Sequence, residues 1–185
     1  VGGWDVSSIT DFGNMFKSCT VLSALDFSNW NVTSSATSFY HFCYLCYALT
    51  TVGDGDLSGW NMTNVTSIEN MFMSCRALSG SLNCSGWNLG KCTGFSYVNS
   101  FNGAFADMQN LTSLNLSGWT LNTTSTYSMR ELCNGDIELT TVGGLSGWNL
   151  SKCSSLQAAF YNCKKLTSTG LGDIFSWFKT ILMNN

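Results

Sequence analysis

The sequence predicts an α/β solenoid of about six strand–turn–short-helix repeats, closed by a C-terminal cap. Three observations carry this. The seven tryptophans, at 4, 30, 60, 87, 119, 148 and 177, each sit in a variant of Ser-Gly-Trp-Asn and stand 26 to 32 residues apart. Self-similarity at such a period marks repeats that bury their apolar faces only against neighbours. Apolar residues keep fixed offsets from each tryptophan: Phe27, Leu57, Cys84, Leu116 and Leu145 three before it, Val6, Val32, Met62, Leu89, Leu121 and Leu150 two after. Downstream, Ser or Thr is followed three residues later by Glu or Gln, ahead of an apolar pair.

Each element follows in chain order. Leu25, Leu82 and Leu114 lie five residues before a tryptophan, so Leu-Asp-Phe at 25–27 and Leu-Asn-Leu at 114–116 alternate as short half-buried strands do. Glycines 59, 86, 118 and 147 are expected to turn the chain or allow a close backbone approach. A short helix is expected next. Thr66 with Glu69, and Ser154 with Gln157, have capping-box spacing. Met15-Phe16, Met71-Phe72 and Ala159-Phe160 fill equivalent core positions, and Cys19, Cys75 and Cys163 each stand 15 residues after their tryptophan. Leu22, Leu78 and Leu166 lead back to the next strand. The stretches 40–47 and 90–110 are looser and aromatic, the latter with Phe95, Tyr97, Phe101 and Phe105. Residues 1–170 therefore read as one elongated domain and 171–185 as its C-terminal cap, since a terminal repeat must cover the open end of the core. Val1 falls in mid-repeat, which reads as a mature chain or a piece of a longer array.

Composition narrows function. Charged residues make up 10% of the 185, against roughly 25% in ordinary domains. Ser, Thr, Asn and Gly supply the polar surface instead, a mixture expected of secreted and surface proteins. Eight scattered Lys and Arg at net charge −3 argue against tracking a nucleic-acid backbone. No apolar run approaches the length of a membrane span. There is no proline, which would delete a ladder donor.

Residues 57–75, Leu-Ser-Gly-Trp-Asn-Met-Thr-Asn-Val-Thr-Ser-Ile-Glu-Asn-Met-Phe-Met-Ser-Cys, and 4–19, with the same Trp, Met-Phe and Cys landmarks, resemble the repeat of the BspA-like leucine-rich repeat family of surface proteins. The resemblance implies a secreted or cell-surface, leucine-rich-repeat-like solenoid used in adhesion and recognition. It carries no catalytic residues to transfer and implies no cofactor.

The candidate binding surface is the outward side of the strands. Asp26, Asp56, Asn83 and Asn115, four residues before a tryptophan, and Ser28, Ser58, Ser85, Ser117 and Ser146, two before, form parallel polar rows. These rows could meet a protein or glycan partner, or serve as a solvated, self-bonded surface. The row after the tryptophan, including Asp5, Asn61, Asn88 and Asn149, is expected to satisfy turn backbone groups. Asn31, Asn61, Asn64, Asn110, Asn122 and Asn149 stand in glycosylation triplets, although the repeat generates such triplets by itself. Nine cysteines suggest some disulfides and at least one free thiol. Cys43 or Cys46 bridged to Cys19 or Cys75 is the expected pairing, set against buried thiols acting as small apolar filler. Cys43-x-x-Cys46 beside His41 lacks a second ligand pair, so no metal site is expected. His41 is the single histidine, and no Ser-His-Asp arrangement forms without it. The expected function is non-enzymatic extracellular or cell-surface recognition. The alternative is a self-assembling structural repeat of a filament, surface layer or virion fibre.

Overall fold

A computed structural model describes residues 1–93 and 101–167. The expected cap at 171–185, Trp177, Phe95 and Tyr97 lie outside them. The described chain is a parallel β-solenoid. Its strands are short: β1 (Ala24–Leu25), β2 (Thr51–Val52), β3 (Ser79–Asn83), β4 (Asn88–Leu89), β5 (Asn110–Asn115), β6 (Thr120–Leu121), β7 (Tyr127–Ser128), β8 (Thr141–Gly143) and β9 (Cys153–Ser155). Every pairing is parallel and joins one coil to the next: β1 with β2, β3 with β5 and β5 with β8 along one wall, β4 with β6 along a second, β7 with β9 along a third. Register keeps like on like, so Leu82, Leu114 and Val142 stack in one inward column and Leu89 stacks on Leu121 in another.

The tryptophans hold the coils at their spacing. From Trp30 to Trp148 they are buried, at 1–6% exposure, and successive indoles stack with centroids 5.3–6.4 Å apart. These are offset stacks in the favourable range for aromatic pairs. The indole N–H is satisfied across the coil boundary: Trp30, Trp87, Trp119 and Trp148 donate to the carbonyls of Val1, Leu57, Cys84 and Leu116, at 2.7–3.3 Å. Each acceptor lies three residues before the preceding tryptophan, so one side chain both fills the core and ties two coils together.

The expected short helices are absent among the described residues, and this corrects the α/β, leucine-rich-repeat-like assignment. The single helical element there is a 3-10 turn at Leu145–Gly147. Where helices were expected, six equivalent eight-residue blocks (12–19, 39–46, 68–75, 101–108, 129–136 and 156–163) form a ladder of tight turns. In the first, the N–H groups of Met15, Lys17 and Cys19 turn back to the carbonyls of Phe12, Asn14 and Phe16. The alternate N–H groups, of Asn14, Phe16 and Ser18, donate sideways to Tyr40, Phe42 and Tyr44 of the next coil, at 2.7–2.9 Å. An eight-residue helix is marginal by itself, whereas this arrangement satisfies half of its donors on a neighbour already in place.

The alternation requires left-handed backbone at two positions in every block. Asn14, His41, Asn70, Gly103, Glu131 and Ala158 form one such column, with φ from 53° to 60°. Ser18, Leu45, Ser74, Asp107, Gly135 and Asn162 form the second, with φ from 58° to 85°. The capping-box signals mark turns one residue further on: Ser67 Oγ accepts the Glu69 N–H and Ser155 Oγ that of Gln157, both at 3.2 Å. Thr66 and Ser154 instead donate to carbonyls of the preceding coil.

Inside the ladder the core columns mix Phe, Ile, Met, Leu and Cys rather than leucine alone. Phe12, Phe39, Phe42 and Phe72 are fully buried and joined by stacked and edge-on contacts.

Candidate functional site

The strand-side rows are locked into the scaffold. Asp26, Asp56, Asn83 and Asn115 each accept the N–H of the serine two residues on, Ser28, Ser58, Ser85 and Ser117, at 2.9–3.2 Å. Asn83 also donates to Asp56, and Asn115 to Asn83, each at 3.0 Å, so three coils share one side-chain ladder. These bonds hold the carboxyls of Asp26 and Asp56 below their ordinary range. Ser146 leaves the row, because it sits in the 3-10 turn. The row after the tryptophan does the same local work, with Asp5, Asn61, Asn88 and Asn149 capping Ser7, Thr63, Gly90 and Ser151. Of the four turn glycines, Gly86 and Gly118 take positive φ, at 74° and 71°.

The glycosylation triplets divide by geometry. Asn31, Asn61, Asn110 and Asn149 are exposed. The amide nitrogens of Asn64 and Asn122 are spent on the carbonyls of Ser34 and Gly90 in the preceding coil, so a glycan there would break an inter-coil bond.

All nine cysteines are free, which corrects the expected bridges among Cys19, Cys43, Cys46 and Cys75. Their thiols act as donors. Cys46, Cys75 and Cys163 donate to the carbonyls of Phe16, Cys43 and Cys133 one coil back, at 3.0–3.2 Å. Burial pushes the Cys43, Cys75, Cys84 and Cys133 thiols well above their ordinary range. Among the described residues no group of three His, Cys, Asp or Glu side chains is placed to hold a metal. Asp136 occupies the position that Cys19, Cys46, Cys75 and Cys163 hold in other coils. Its Oδ1 accepts the Met108 N–H at 2.8 Å, its Oδ2 has no hydrogen-bond partner, and burial raises its carboxyl well above the ordinary value.

The turn ladder presents a different outer surface. Coil by coil, the residue before the first left-handed position is Gly13, Tyr40, Glu69, Asn102, Arg130 and Gln157. The left-handed residue itself is Asn14, His41, Asn70, Gly103, Glu131 and Ala158. Three residues further on stand Lys17, Tyr44, Met73, Ala106, Asn134 and Tyr161. In all three rows the chemistry changes at every coil.

His41 is held on both sides. Its ring stacks on Tyr40 and Tyr44, with centroids at 3.7 and 4.6 Å. Nδ1 lies 3.2 Å from Lys17 Nζ, and Nε2 lies 3.1 Å from the Asn70 amide. A lysine ammonium only donates, so Nδ1 is the nitrogen that accepts from Lys17. Burial, and then the Lys17 charge, push the imidazole down to about 4.

Beside this cluster a cleft of about 320 Å³ opens over Gly103. Glu69, Asn70 and Met73 border it from one coil, Asn102 and Gly103 from the next, and Arg130 and Glu131 from the third, with Tyr44 at its end. Arg130 Nε is paired with Glu131 at 2.9 Å. Further along the block, Arg76 bridges coils, bonding Asp107 at 2.7 Å and lying 5.0 Å from the Tyr47 ring.

A parallel stack of coils with one locked wall and one variable wall defines a repeat solenoid module. The model of the family described as "Mycoplasma protein of unknown function, DUF285" matches the chain twice, over residues 1–113 and 91–179, and the chain belongs to that family. No curated protein and no solved structure matches it.

Proposed function

We propose that this chain is a non-enzymatic recognition module, acting outside the cell or on its surface, that binds a protein or glycan partner along the turn-ladder face. One observation carries the reading: three rows along the turn ladder change residue type at every coil, whereas on the strand wall Asp or Asn bonded to the following Ser recurs from Asp26 to Ser117. In a solenoid a rigid extended face recognises its partner through many separate contacts. The resemblance of 57–75 to BspA-like surface repeats supports the surface location, and the low charge content agrees with it. His41, the single histidine, is engaged by Lys17, Asn70 and two tyrosines, which supports a positioning role rather than proton transfer.

The test is binding of labelled chain to a panel of cell surfaces and extracellular-matrix proteins. Binding should fall at least tenfold when Tyr40, Glu69 and Arg130 are together replaced by Ser, and should persist when Thr51 and Thr141 on the strand wall are replaced by Ser. Loss through the strand-wall pair instead, or no binding to any surface, would overturn the reading. End-to-end assembly is the second reading. It requires oligomers at micromolar concentration in light scattering, and a monomer at that concentration removes it.

A further inference from the structure

Five of the six turn blocks close alike. The last N–H of each, from Cys19, Cys46, Cys75, Asp136 and Cys163, turns back to the carbonyl three residues earlier, at 3.1–3.4 Å. Where the following coil ends its block in cysteine, the thiol donates to a carbonyl of the same column: Cys46 to Phe16, Cys75 to Cys43 and Cys163 to Cys133. The block 101–108 does neither. Its last N–H, from Met108, goes instead to Oδ1 of Asp136 in the next coil, at 2.8 Å. Among the described residues no hydrogen bond is made to the Phe105 carbonyl, which is the acceptor that this turn leaves behind. Phe105, Met108 and Asp136 are fully buried, and Oδ2 of Asp136 has no hydrogen-bond partner. A buried carbonyl and a buried carboxyl oxygen thus both stand unpaired at one turn, which is costly for each.

We propose that Asp136 is a proton switch: as the neutral acid it donates Oδ2–H to the Phe105 carbonyl while Oδ1 accepts the Met108 N–H, so that it staples the coil of 101–108 to that of 129–136, and loss of the proton releases the staple. Two oxygens share no hydrogen bond without a proton between them, and a carboxyl donates only when protonated. One proton therefore repairs both orphaned groups. The column agrees with the direction of that bond. Cys46, Cys75 and Cys163 hold the position of Asp136 in other coils, and each is a donor to the fifth carbonyl of the block one coil back. Phe105 is the fifth residue of its block. The titratable groups that face the acid are Cys133 on its own block, Asp107 on the coil before and Cys163 on the coil after. None is a cation, and Asp107 is already paired with Arg76 at 2.7 Å. Burial raises the Asp136 carboxyl well above its ordinary value, against the opposing pull of the Met108 N–H. Deprotonation removes the O–H bond and leaves a buried charge without a counter-charge, a costly arrangement that favours opening. Asn102 lies on one side of this boundary and Arg130 on the other, so the turn ladder loosens there first as pH rises.

The experiment is hydrogen exchange by mass spectrometry on the intact chain over a pH series, corrected for intrinsic exchange, with difference infrared spectroscopy of the parent chain against Asp136→Asn. An opening that ionises a buried acid becomes about tenfold more favourable per pH unit between the ordinary carboxyl value and the raised one. Protection of peptides across 103–108 and 129–136 should fall with that slope, while peptides across 39–46 keep theirs. Asn offers an acceptor to Met108 and a permanent donor to Phe105, so protection in Asp136→Asn should not depend on pH. Asp136→Ala supplies neither and should be open throughout; if it does not fold, the parent chain and Asp136→Asn decide the question. The protonated-carboxyl infrared band should persist in the folded parent chain about two pH units above the ordinary carboxyl value and be absent from Asp136→Asn. A missing band, pH-independent protection in the parent chain, or an Asn variant whose protection falls with pH as the parent's does overturns the proposal.

Discussion

The strand wall and the turn ladder are built from the same coils and obey opposite rules. On the strand wall, Asp56, Asn83 and Asn115 bond to one another and to their own serines, so each side chain is committed to its neighbours. On the turn ladder the backbone makes those commitments. Alternate N–H groups carry the inter-coil bonds along every block, and side-chain bonds between coils are local additions, as in Lys17–His41–Asn70. One wall therefore repeats its chemistry and the other varies it. A face whose cohesion is carried by backbone can change residue type without losing cohesion.

Five substitutions probe that contrast, from the largest expected effect to the smallest. Trp87→Ala removes a spacer common to both walls, at 1% exposure, and should cost about 3–5 kcal/mol in denaturant unfolding. A loss below about 0.5 kcal/mol would mean that the indole column does not hold the coils together. Asp136→Asn addresses the one buried carboxyl in the thiol column. Its folded pKa is raised, so the folded state holds the proton longer than the unfolded chain. That contribution is complete below the ordinary value of 3.8 and is lost as pH rises through the folded value, with a slope of at most about 1.4 kcal/mol per pH unit. The Asn variant keeps an acceptor for the Met108 N–H and should abolish this decline in a Tm-against-pH series. An unchanged series would place the titration elsewhere.

The backbone difference between the walls is tested by one residue type at two places. Asn14→Val puts a β-branched side chain at φ 60° and should cost about 1–2 kcal/mol, whereas Thr51→Val on an exposed strand position should stay within about 0.5. Equal costs would remove the distinction. The smallest effect belongs to His41→Asn. The folded imidazole is depressed to about 4 from 6.5. Its stabilising contribution is thus present above pH 6.5 and lost as pH falls towards 4. The Asn variant should flatten that acid limb slightly.

The repeat, the tryptophan column and the inward apolar positions were legible in the sequence, because each is a fixed offset from an unmistakable residue. The helices were misread for a physical reason. Phe12, Met15, Phe16, Cys19 and Leu22 have the i, i+3, i+4, i+7 spacing of a helical stripe. A succession of three-residue turns yields that spacing too. The distinguishing signal was present at the positions between: Asn14 and Ser18, and Asn70 and Ser74, are types that tolerate or favour left-handed backbone and are poor choices for the middle of a helix. The cysteines misled similarly. Their spacing fits a disulfide, but the structure uses the column as small S–H donors to carbonyls one coil back. The cleft beside His41 was out of reach of the sequence alone, since Glu69, Asn102 and Arg130 border it from three separate coils.

The turn block has one further property. Tryptophan spacing varies from 26 to 32 residues, yet every block from 12–19 to 156–163 has the same length, and a leucine follows three residues after each one. Insertions such as Gly-Asp-Gly at 53–55 fall elsewhere in the coil. A single added residue inside the block would move every left-handed position onto its neighbour and misalign all the sideways bonds at once. The block thus behaves as an interchangeable cassette. Whole coils can be gained, lost or shuffled while the outward positions stay in register, so a lineage can rewrite what this surface reads without revising how it folds.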